Sequence, residues 1–411
     1  MKNSTAYKLI PASEKKGENF VGIRIENNII EFHYPETYRL SDDKKERRKD
    51  IVKILSTIKL AKAGKPESKY YTKNENDDGF PLNAYLWIIN DYLKYGRYEN
   101  RETIYAVNGG GKINWKRTIS AQPIISDGNF IYSELITERK VHRDDLITEI
   151  YNFCVKKAVD SVGWIYGINF NGAGVDYDRL YNKKRYLIAV NREISRTFID
   201  TKRHRLQQMK NIITGLDDEL QPTQELTYGV FGYDRVFECM VDRLFSTVTN
   251  IADFYPCAEY RLVMSPHRCN TVPLRPDTIM TKERTAYILD SKYYRYGITF
   301  DPSDLPDTTS IQKQITYGDY VKATKEDAFD SVYNAFVLPY SKKDNPYSDI
   351  FSGDMVFAGY AQADWSVEYP HSKIAVFLID TTFLIEHWTK HNKEISLQLM
   401  NEIEKHIGAL S

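Results

Sequence analysis

Two aspartates and a lysine stand at the ends of short apolar runs, where a strand core would normally continue. The stretch LRPDTIMTKERTAYILDSKYYRYG, residues 274–297, contains Asp277, Asp290 and Lys292 within a pattern that predicts a β-hairpin. Alternate residues of a strand share a face, so Asp290 and Lys292 should point the same way. Asp277 falls at the middle of the first predicted strand and 13 positions before Asp290, which is enough for two strand halves and a polar turn. The two carboxylates can therefore meet around one point, with an ammonium group nearby.

Such a cluster predicts metal-dependent chemistry on phosphate esters. Carboxylates brought together in a partly buried site repel each other, and a cation can neutralise them. Mg²⁺ suits this role because it prefers oxygen ligands and binds through one or two carboxylates, waters and substrate phosphate. We expect Asp277 and Asp290 to hold the metal, with the backbone carbonyl of Ser291 as a further ligand. Lys292 would orient or help deprotonate the attacking water and stabilise transition-state charge, giving phosphodiester hydrolysis.

Neighbouring polar residues extend this predicted site. Glu238 lies beside the apolar stripe of the helix that precedes the hairpin, and it could complete the metal shell. Gln312 and Gln314, with Tyr317, lie on a helix after the hairpin, where an amide could steady the lysine or contact a phosphate.

A purely structural alternative is a surface hairpin with an ordinary Asp–Lys ion pair. An aspartate two positions before a lysine occurs by chance in most proteins. The sequence R-P-D, followed by an apolar run that ends in D-x-K, between a helix carrying a glutamate and one carrying glutamines, is much more restrictive. The combination favours the nuclease interpretation.

The elements around these residues predict an α/β core in the C-terminal half of the chain. A helix from Asp234, the hairpin, a helix from Ile311 to about Tyr320, the apolar run at 373–388 and a C-terminal helix follow one another. In the N-terminal half we predict a hairpin at 19–33, amphipathic helices and strands around a glycine-rich loop.

The acidic, proline-containing stretch at 214–229 suggests a domain boundary. We therefore predict an α+β region for DNA or partner recognition at 1–214 and a nuclease domain at 215–411.

The composition bounds these hypotheses. The 411-residue chain has 56 Lys and Arg against 56 Asp and Glu, so nucleic acid would have to be bound by local patches. Its 31 tyrosines suit polar interfaces, nucleic acid among them. The four cysteines form no CxxC pair, and the spacing of Cys257, His267 and Cys269 fits no zinc finger. The polar N-terminus contains no signal-peptide core, and no segment has 18 uncharged apolar residues, so we expect a cytoplasmic protein.

Two basic stretches are candidates for DNA contact. NGGGKIN at 108–114 lacks the spacing of a phosphate-binding P-loop, but its turn could bring a following strand, INWKRT, close to DNA. On that strand Lys116 and Arg117 would reach phosphates or guanine, and Trp115 would pack in the core. The two cations equally suit an ordinary charged surface.

The second stretch is a predicted basic helix over 191–211, and its cations could follow the phosphate backbone. They equally suit an ordinary solvated face. These cations are Arg192, Arg196, Arg203 and Lys210.

At this point the residues resemble a known family. RPD at 275–277 followed by ILDSK at 288–292 resembles the PD-(D/E)xK nuclease signature. Three further stretches, at 109–135, 305–321 and 356–385, resemble the LlaJI family of restriction endonucleases, and the likeness extends over roughly residues 20 to 390.

This resemblance implies a PD-(D/E)xK core, a mixed sheet flanked by helices, and Mg²⁺-dependent cleavage of double-stranded DNA in a restriction-modification system. It assigns metal binding to Asp277 and Asp290 and the lysine role to Lys292. Glu238 is carried over less surely, because Asp234 and Asp242 lie one helical turn on either side.

The family also resembles the nuclease subunit of McrBC-type systems, which works with a GTP-hydrolysing partner. The sequence has no complete Walker motif, so such a GTPase, an AAA+ protein, would be another chain. An inactive DNA-binding module is a further alternative. Cutting both strands with one site per chain predicts a homodimer on DNA.

Overall fold

The computed structural model divides the protein into two compact units. It describes residues 7–13, 19–26, 29–63, 81–98, 100–121, 123–143, 146–170, 175–217, 226–264, 268–366 and 369–408. One unit comprises Met1–Ala6 and Asn74–Gln224, and the other comprises Tyr7–Lys73 and Glu225–Ser411. The predicted boundary at 214 falls near the crossing between the units at Gln224 and Glu225. The assignment of Tyr7–Lys73 to the N-terminal region was wrong, because this segment packs with the C-terminal part of the chain.

The early part of the second unit consists of three strands and a helix. They are β1 (Tyr7–Ala12), β2 (Phe20–Glu26), β3 (Ile29–Pro35) and α1 (Lys44–Ala63). The predicted hairpin is confirmed, since β2 and β3 pair antiparallel, while β1 pairs parallel to β3. The predicted apolar stripe of α1 is also confirmed: Ile51, Ile54, Leu55 and Ile58 are buried.

The first unit contains helices and a small antiparallel sheet. Its elements are α2 (Leu82–Tyr95), β4 (Asn100–Val107), β5 (Lys112–Ile113), α3 (Trp115–Ser120), β6 (Ile124–Ser126), β7 (Asn129–Ile131), β8 (Ile136–Arg143), α4 (Leu146–Tyr166), α5 (Tyr177–Leu180), α6 (Lys183–Arg196) and α7 (Asp200–Thr214). The sheet has the order β4-β8-β5, and β6 and β7 form a separate hairpin. In the helical part, Arg205 bridges both carboxylate oxygens of Asp91, at 2.8 Å each. Tyr151 donates to the same carboxylate, so buried charge and hydroxyl are paired where α2, α4 and α7 meet.

Two predictions for this unit were wrong. The stretch predicted as the strand INWKRT contains the helix α3, because the side chain of Asn114 accepts a hydrogen bond from the backbone N–H of Arg117 and caps the helix. Trp115 is consequently exposed rather than packed in a core. The single basic helix predicted over 191–211 is two helices, because residues 197–199 leave the helical path between α6 and α7.

The remainder of the second unit follows. Its elements are β9 (Leu226–Phe231), α8 (Asp234–Phe245), β10 (Glu259–Arg261), β11 (Arg268–Asn270), β12 (Thr278–Lys282), β13 (Thr285–Ser291), α9 (Tyr296–Thr299), α10 (Thr308–Thr324), β14 (Ser331–Tyr340), β15 (Met355–Gln362), β16 (Lys373–Asp380), α11 (Thr381–His387) and α12 (Lys393–Gly408). Strand β9 pairs with β2 and completes a four-stranded sheet of order β1-β3-β2-β9. This pairing is the physical reason why Tyr7–Lys73 and Glu225–Ser411 share one unit.

A mixed five-stranded sheet forms the centre of the second unit. Its order is β12-β13-β14-β16-β15, with β13, β14 and β16 parallel and the two outer strands antiparallel to their neighbours. Ile315 of α10 packs with Phe336, Leu338 and Val376 on one face. Helices α8 and α12 also pack against this sheet. The prediction of an α/β core with a mixed sheet flanked by helices is confirmed.

The apolar run at 373–388 folds as strand β16 followed directly by α11. Asp380 ends the strand and caps the helix by accepting the backbone N–H of Phe383. Among the described helices, none has the length and apolar character needed to cross a membrane.

Candidate active site

The carboxyl end of β13 places Asp290 and Lys292 together. Six of the seven β13 residues are buried, Asp290 among them at 7% exposure. Lys292 follows the strand, and its Nζ lies 2.6 Å from Oδ2 of Asp290. Because β13 is parallel to β14 and β16, this end belongs to the edge of the sheet at which open α/β folds bind ligands. The structure thus brings together the pair that strand alternation predicts.

Asp277 joins this pair from the neighbouring strand. It immediately precedes β12, so its predicted position in the middle of a strand was wrong. Thr278 pairs with Leu289 across the antiparallel ladder, which sets Asp277 beside the end of β13. Its Oδ2 accepts the backbone N–H of Ser291 at 2.8 Å. One strand end therefore carries Asp290 and also fixes the orientation of Asp277.

Glu238 reaches the same group from helix α8. Burial, together with the charges of Asp234 and Asp290, raises the pKa of Glu238 to about 7, and the charge of Lys292 partly offsets this rise. Asp242, one turn away, instead accepts a hydrogen bond from Thr278 at 3.3 Å. Of the three acids on this helix, Glu238 is the one that shares the electrostatic environment of both Asp290 and Lys292.

The carboxyl groups of the cluster repel one another, and the charge of Lys292 does not fully compensate this repulsion. Burial, followed by the charges of Asp290 and Glu238, raises the pKa of Asp277 well above its usual range, and the backbone N–H of Ser291 and the Lys292 charge only partly offset this. Burial lowers the pKa of Lys292, but its contacts with Asp290 outweigh burial and leave it raised. A second positive charge would relieve the remaining repulsion.

The donor set fits a hard divalent cation held by few protein ligands. Among the described residues, no three His, Cys, Asp or Glu side chains form a group that could hold a metal ion by themselves. A three-carboxylate cage is therefore absent from this part of the chain. The carboxylates of Asp277 and Asp290 remain, and two carboxylates with water and phosphate are what Mg²⁺ uses in proteins. Ser291 Oγ is buried without a hydrogen-bond partner at the same strand end.

Helix α10 supports the site from one face of the sheet. Gln314 is fully buried and donates from Nε2 to the carbonyl of Ile288, two residues before Asp290, at 2.7 Å. It therefore holds strand β13 rather than the Lys292 ammonium. Gln312 is exposed on the same helix. Tyr317 donates to the carbonyl of Arg275 at 3.1 Å, and burial together with the charges of Asp290 and Asp277 raises its pKa.

Three contacts of this site were not anticipated from the sequence. They are the hydrogen bond from the backbone N–H of Ser291 to Asp277, the hydrogen bond from Gln314 to the backbone of β13, and the hydrogen bond from Tyr317 to the segment before Asp277. The Q-x-x-Y spacing on α10 was the available signal, because residues three apart lie on one side of a helix.

The predicted DNA-contact residues lie in the first unit, apart from this cluster in sequence. Lys116, Arg117, Arg196 and Arg203 are all exposed. The Arg117 guanidinium lies 3.8 Å from the ring centre of Tyr105. These residues are accessible to a ligand, and the geometry assigns them no further role.

Other residues considered for chemistry or packing have plain structural positions. Trp365 is 58% exposed and is therefore not a core residue. His387 is half-buried with Nδ1 beside the Phe383 carbonyl, so it has a packing position. Cys257 is exposed, with Sγ 3.3 Å from the Thr271 carbonyl oxygen. His267 lies outside the described residues.

The chain is similar to several known proteins. The family described as LlaJI restriction endonuclease matches residues 20–378. A relative, the "Type II restriction enzyme BsuMI component YdjA" of Bacillus subtilis (strain 168), is 25% identical over 413 residues, which cover 92% of this chain and 84% of the relative. Among solved structures, a half-complex of Thermococcus gammatolerans McrB AAA+ hexamers with bound McrC aligns over 93% of this chain and 83% of its own, with 12% identity and a TM-score of 0.39. The match over nearly the whole sequence shows that the chain belongs to the LlaJI restriction endonuclease family.

Proposed function

We propose that the protein is a Mg²⁺-dependent endonuclease that hydrolyses phosphodiester bonds of double-stranded DNA at a specific sequence. The observation that carries this proposal is the meeting of Asp277, Asp290 and Lys292 at the carboxyl edge of a mixed sheet. Family membership supports a restriction nuclease, and the name of the B. subtilis relative supports the type II class.

Each group has a role in this proposal. Asp277 and Asp290 bind the metal, the backbone carbonyl of Ser291 adds a ligand, and Glu238, whose charge interacts with those of Asp290 and Lys292, acts on the water shell of the metal. Lys292 orients the attacking water and stabilises the negative charge that develops on the phosphate oxygens. Mg²⁺, when bound, supplies Lewis-acid polarisation of the phosphate and lowers the pKa of water. Gln314 positions β13, and Gln312 is left free to approach a phosphate.

The first unit supplies the proposed contacts to the rest of the duplex. Lys116, Arg117, Arg196 and Arg203 are exposed cations that can approach phosphates, and such contacts make binding weaken steeply with salt. This gives the Asn74–Gln224 unit a role in DNA or partner recognition.

A second candidate function is a nuclease subunit that cuts only with a GTPase partner, an AAA+ chain. The specific observation in its favour is that the B. subtilis relative is named as a component of a restriction enzyme. A third candidate, from a different class, is a DNA-binding module with an inactive site.

Incubation of the purified protein with unmethylated plasmid and Mg²⁺, with and without EDTA, separates these functions. Discrete fragments that disappear with EDTA support an autonomous sequence-specific enzyme. Cutting that requires an added GTPase chain and GTP supports the subunit. Tight binding without cutting under any of these conditions supports the inactive module and contradicts an enzymatic role.

We also propose that two copies act together on DNA, since one site per chain cuts one strand at a time. Light scattering on a complex with cleavable DNA should give the mass of two chains. A single chain that nevertheless cuts both strands would contradict a dimer.

A further inference from the structure

A two-stranded ribbon lies in the sequence between two residues of the candidate active site, Glu238 and Asp277. Strands β10 and β11 pair antiparallel and lie in the segment that joins α8, which carries Glu238, to β12, which follows Asp277. All three residues of β10 are exposed. Isolated two-stranded ribbons are marginally stable in water and gain stability when they pack against something else. The described side chains of this ribbon do not pack into a core, so it is suited to binding another molecule.

The base of the ribbon is attached to the site itself. The backbone N–H of Leu274 donates to the Pro256 carbonyl at 2.9 Å, and that of Thr271 to the Ala258 carbonyl at 2.7 Å, which closes the ribbon at its base. Arg275 follows directly, and its carbonyl accepts the Tyr317 hydroxyl. The ribbon is therefore joined to the site two residues before Asp277, and its three-residue strands span about 10 Å at ~3.3 Å per residue.

One face of the ribbon carries three different hydrogen-bonding groups. Glu259 is paired with Asn270 in the ladder, and Arg261 lies two residues after Glu259, so all three side chains share a face. Arg261 Nε lies 2.8 Å from Oε1 of Glu259. A carboxylate, a guanidinium and an amide are the side chains that read cytosine, guanine and adenine edges in the major groove.

The three residues that follow β10 are apolar and strongly exposed. Val263 is 102% exposed and Met264 95%, and Leu262 is also exposed. Apolar side chains in the major groove contact the thymine methyl group. The ribbon has polar groups on one face and apolar groups after β10. This combination is more complementary to a DNA groove than to the apolar surface of another protein.

We propose that the β10–β11 ribbon enters the major groove of the substrate duplex and reads base edges next to the bond that is cut. The proposal rests on the nuclease function proposed above. A major groove about 12 Å wide accepts a two-stranded ribbon, and the attachment of this ribbon beside Asp277 places it on the same stretch of DNA as the reacting phosphate. The ribbon thus determines specificity within the nuclease unit.

The test compares Arg261→Ala and Asn270→Ala with the parent on unmethylated plasmid and Mg²⁺. Each variant should cut at least about tenfold more slowly or give an altered fragment pattern, because one base-reading group is lost. Arg284→Ala is the matched control, since Arg284 is also an exposed arginine in an ion pair, with Asp330, but lies in the turn at the opposite end of β12 and β13. Unchanged rate and pattern in both ribbon variants would overturn the proposal.

A second readout does not depend on cleavage. Photoreactive benzoylphenylalanine in place of Val263 should crosslink to a fluorescent 30-base-pair duplex of randomised sequence in EDTA. Absence of any crosslink to the duplex, or crosslinking only to a second copy of the chain, would overturn the ribbon proposal. If the parent does not cut but the duplex is crosslinked, the nuclease function fails and the ribbon proposal stands.

Discussion

At the scale of single residues, the candidate site holds several carboxyl groups close together in a largely buried position. Asp277 and Glu238 both have a raised pKa, burial being the main cause, while Lys292 contributes one positive charge 2.6 Å from Asp290. The lysine is therefore already engaged before any metal arrives. An arrangement of this kind gains stability when a cation enters, and the first two predictions follow from it.

Replacement of Asp290 or Lys292 by alanine should abolish cleavage while duplex binding is retained. Loss of either group removes a metal ligand or the cation that stabilises developing charge, so the rate should fall at least about a hundredfold. Plasmid cleavage and fluorescence anisotropy of a labelled duplex measure the two properties. Asp330→Ala, at the far end of the sheet, is the control and should cut like the parent. Unchanged function in the Asp290 and Lys292 variants would favour the inactive module.

Mg²⁺ should raise the melting temperature of the parent protein, and EDTA should reverse the change. A ligand that binds only the folded state at ten times its Kd stabilises by about 1.4 kcal/mol, which corresponds to a shift of a few degrees for a unit of this size, roughly 3–6 °C. Calorimetry on the parent and on Asp277→Asn measures the effect, and the variant should lose it. Equal shifts in the two proteins would show that the metal binds elsewhere.

At the scale of elements, helix α10 is locked to the sheet by buried amides. Asn334 of β14 donates from Nδ2 to the carbonyls of Gln314 and His371, at 2.8 and 2.7 Å. Gln314 in turn donates to the carbonyl of Ile288. Gly318 lies against the same group, where an added Cβ would come 2.8 Å from Asn334 Nδ2. These contacts set the distance between α10 and the strand that carries Asp290.

The two glutamines of α10 form a matched pair for testing this lock. Gln314→Ala should lower the free energy of unfolding by about 1–3 kcal/mol, because the buried Ile288 carbonyl loses its donor. Gln312→Ala removes an exposed side chain and should change it by less than about 0.5 kcal/mol. Urea unfolding followed by circular dichroism measures both. Equal destabilisation by the two changes would contradict the lock.

The same two glutamines distinguish structural support of the site from participation in cleavage. If Gln312 approaches a phosphate, Gln312→Ala should slow cleavage at unchanged stability. If Gln312→Ala instead cuts at the rate of the parent, Gln312 has no part in the site.

At the scale of the whole molecule, the second unit, which carries the candidate site, is discontinuous in sequence. Strand β2 pairs with β9, and the hydroxyls of Thr57 on α1 and Tyr233 beside α8 are hydrogen-bonded. The five-stranded sheet thus depends on packing partners from the beginning of the chain.

A fragment that starts at residue 215 should therefore fail to fold as the intact unit does. It would expose the edge of β9 and the face of α8 that packs on α1. Residues 7–73 joined to 225–411 by a flexible glycine-serine linker should unfold cooperatively, with a melting transition seen by circular dichroism. If the 215–411 fragment melts as cooperatively and at the same temperature, the discontinuous unit is contradicted.

The sequence by itself determined the local features of this protein. Strand alternation identified Asp290 and Lys292 as a pair, helical periodicity identified the buried stripe of α1, and the β2–β3 hairpin was predicted from its turn. These features depend on residues a few positions apart, which local propensity and periodicity report. Helix α3 was missed because one N-cap hydrogen bond outweighed the strand-like pattern of its residues.

Only the tertiary structure decided how distant segments meet. It set Asp277 beside Ser291, turned Glu238 rather than Asp242 toward the cluster, assigned Gln314 to the β13 backbone, and placed Tyr7–Lys73 in one unit with Glu225–Ser411. Each of these depends on pairing or packing between segments far apart in the chain, for which no local pattern exists. The residues that lie together in the candidate site could be identified in the sequence, whereas their geometry follows from the sheet register and helix packing that bring them together.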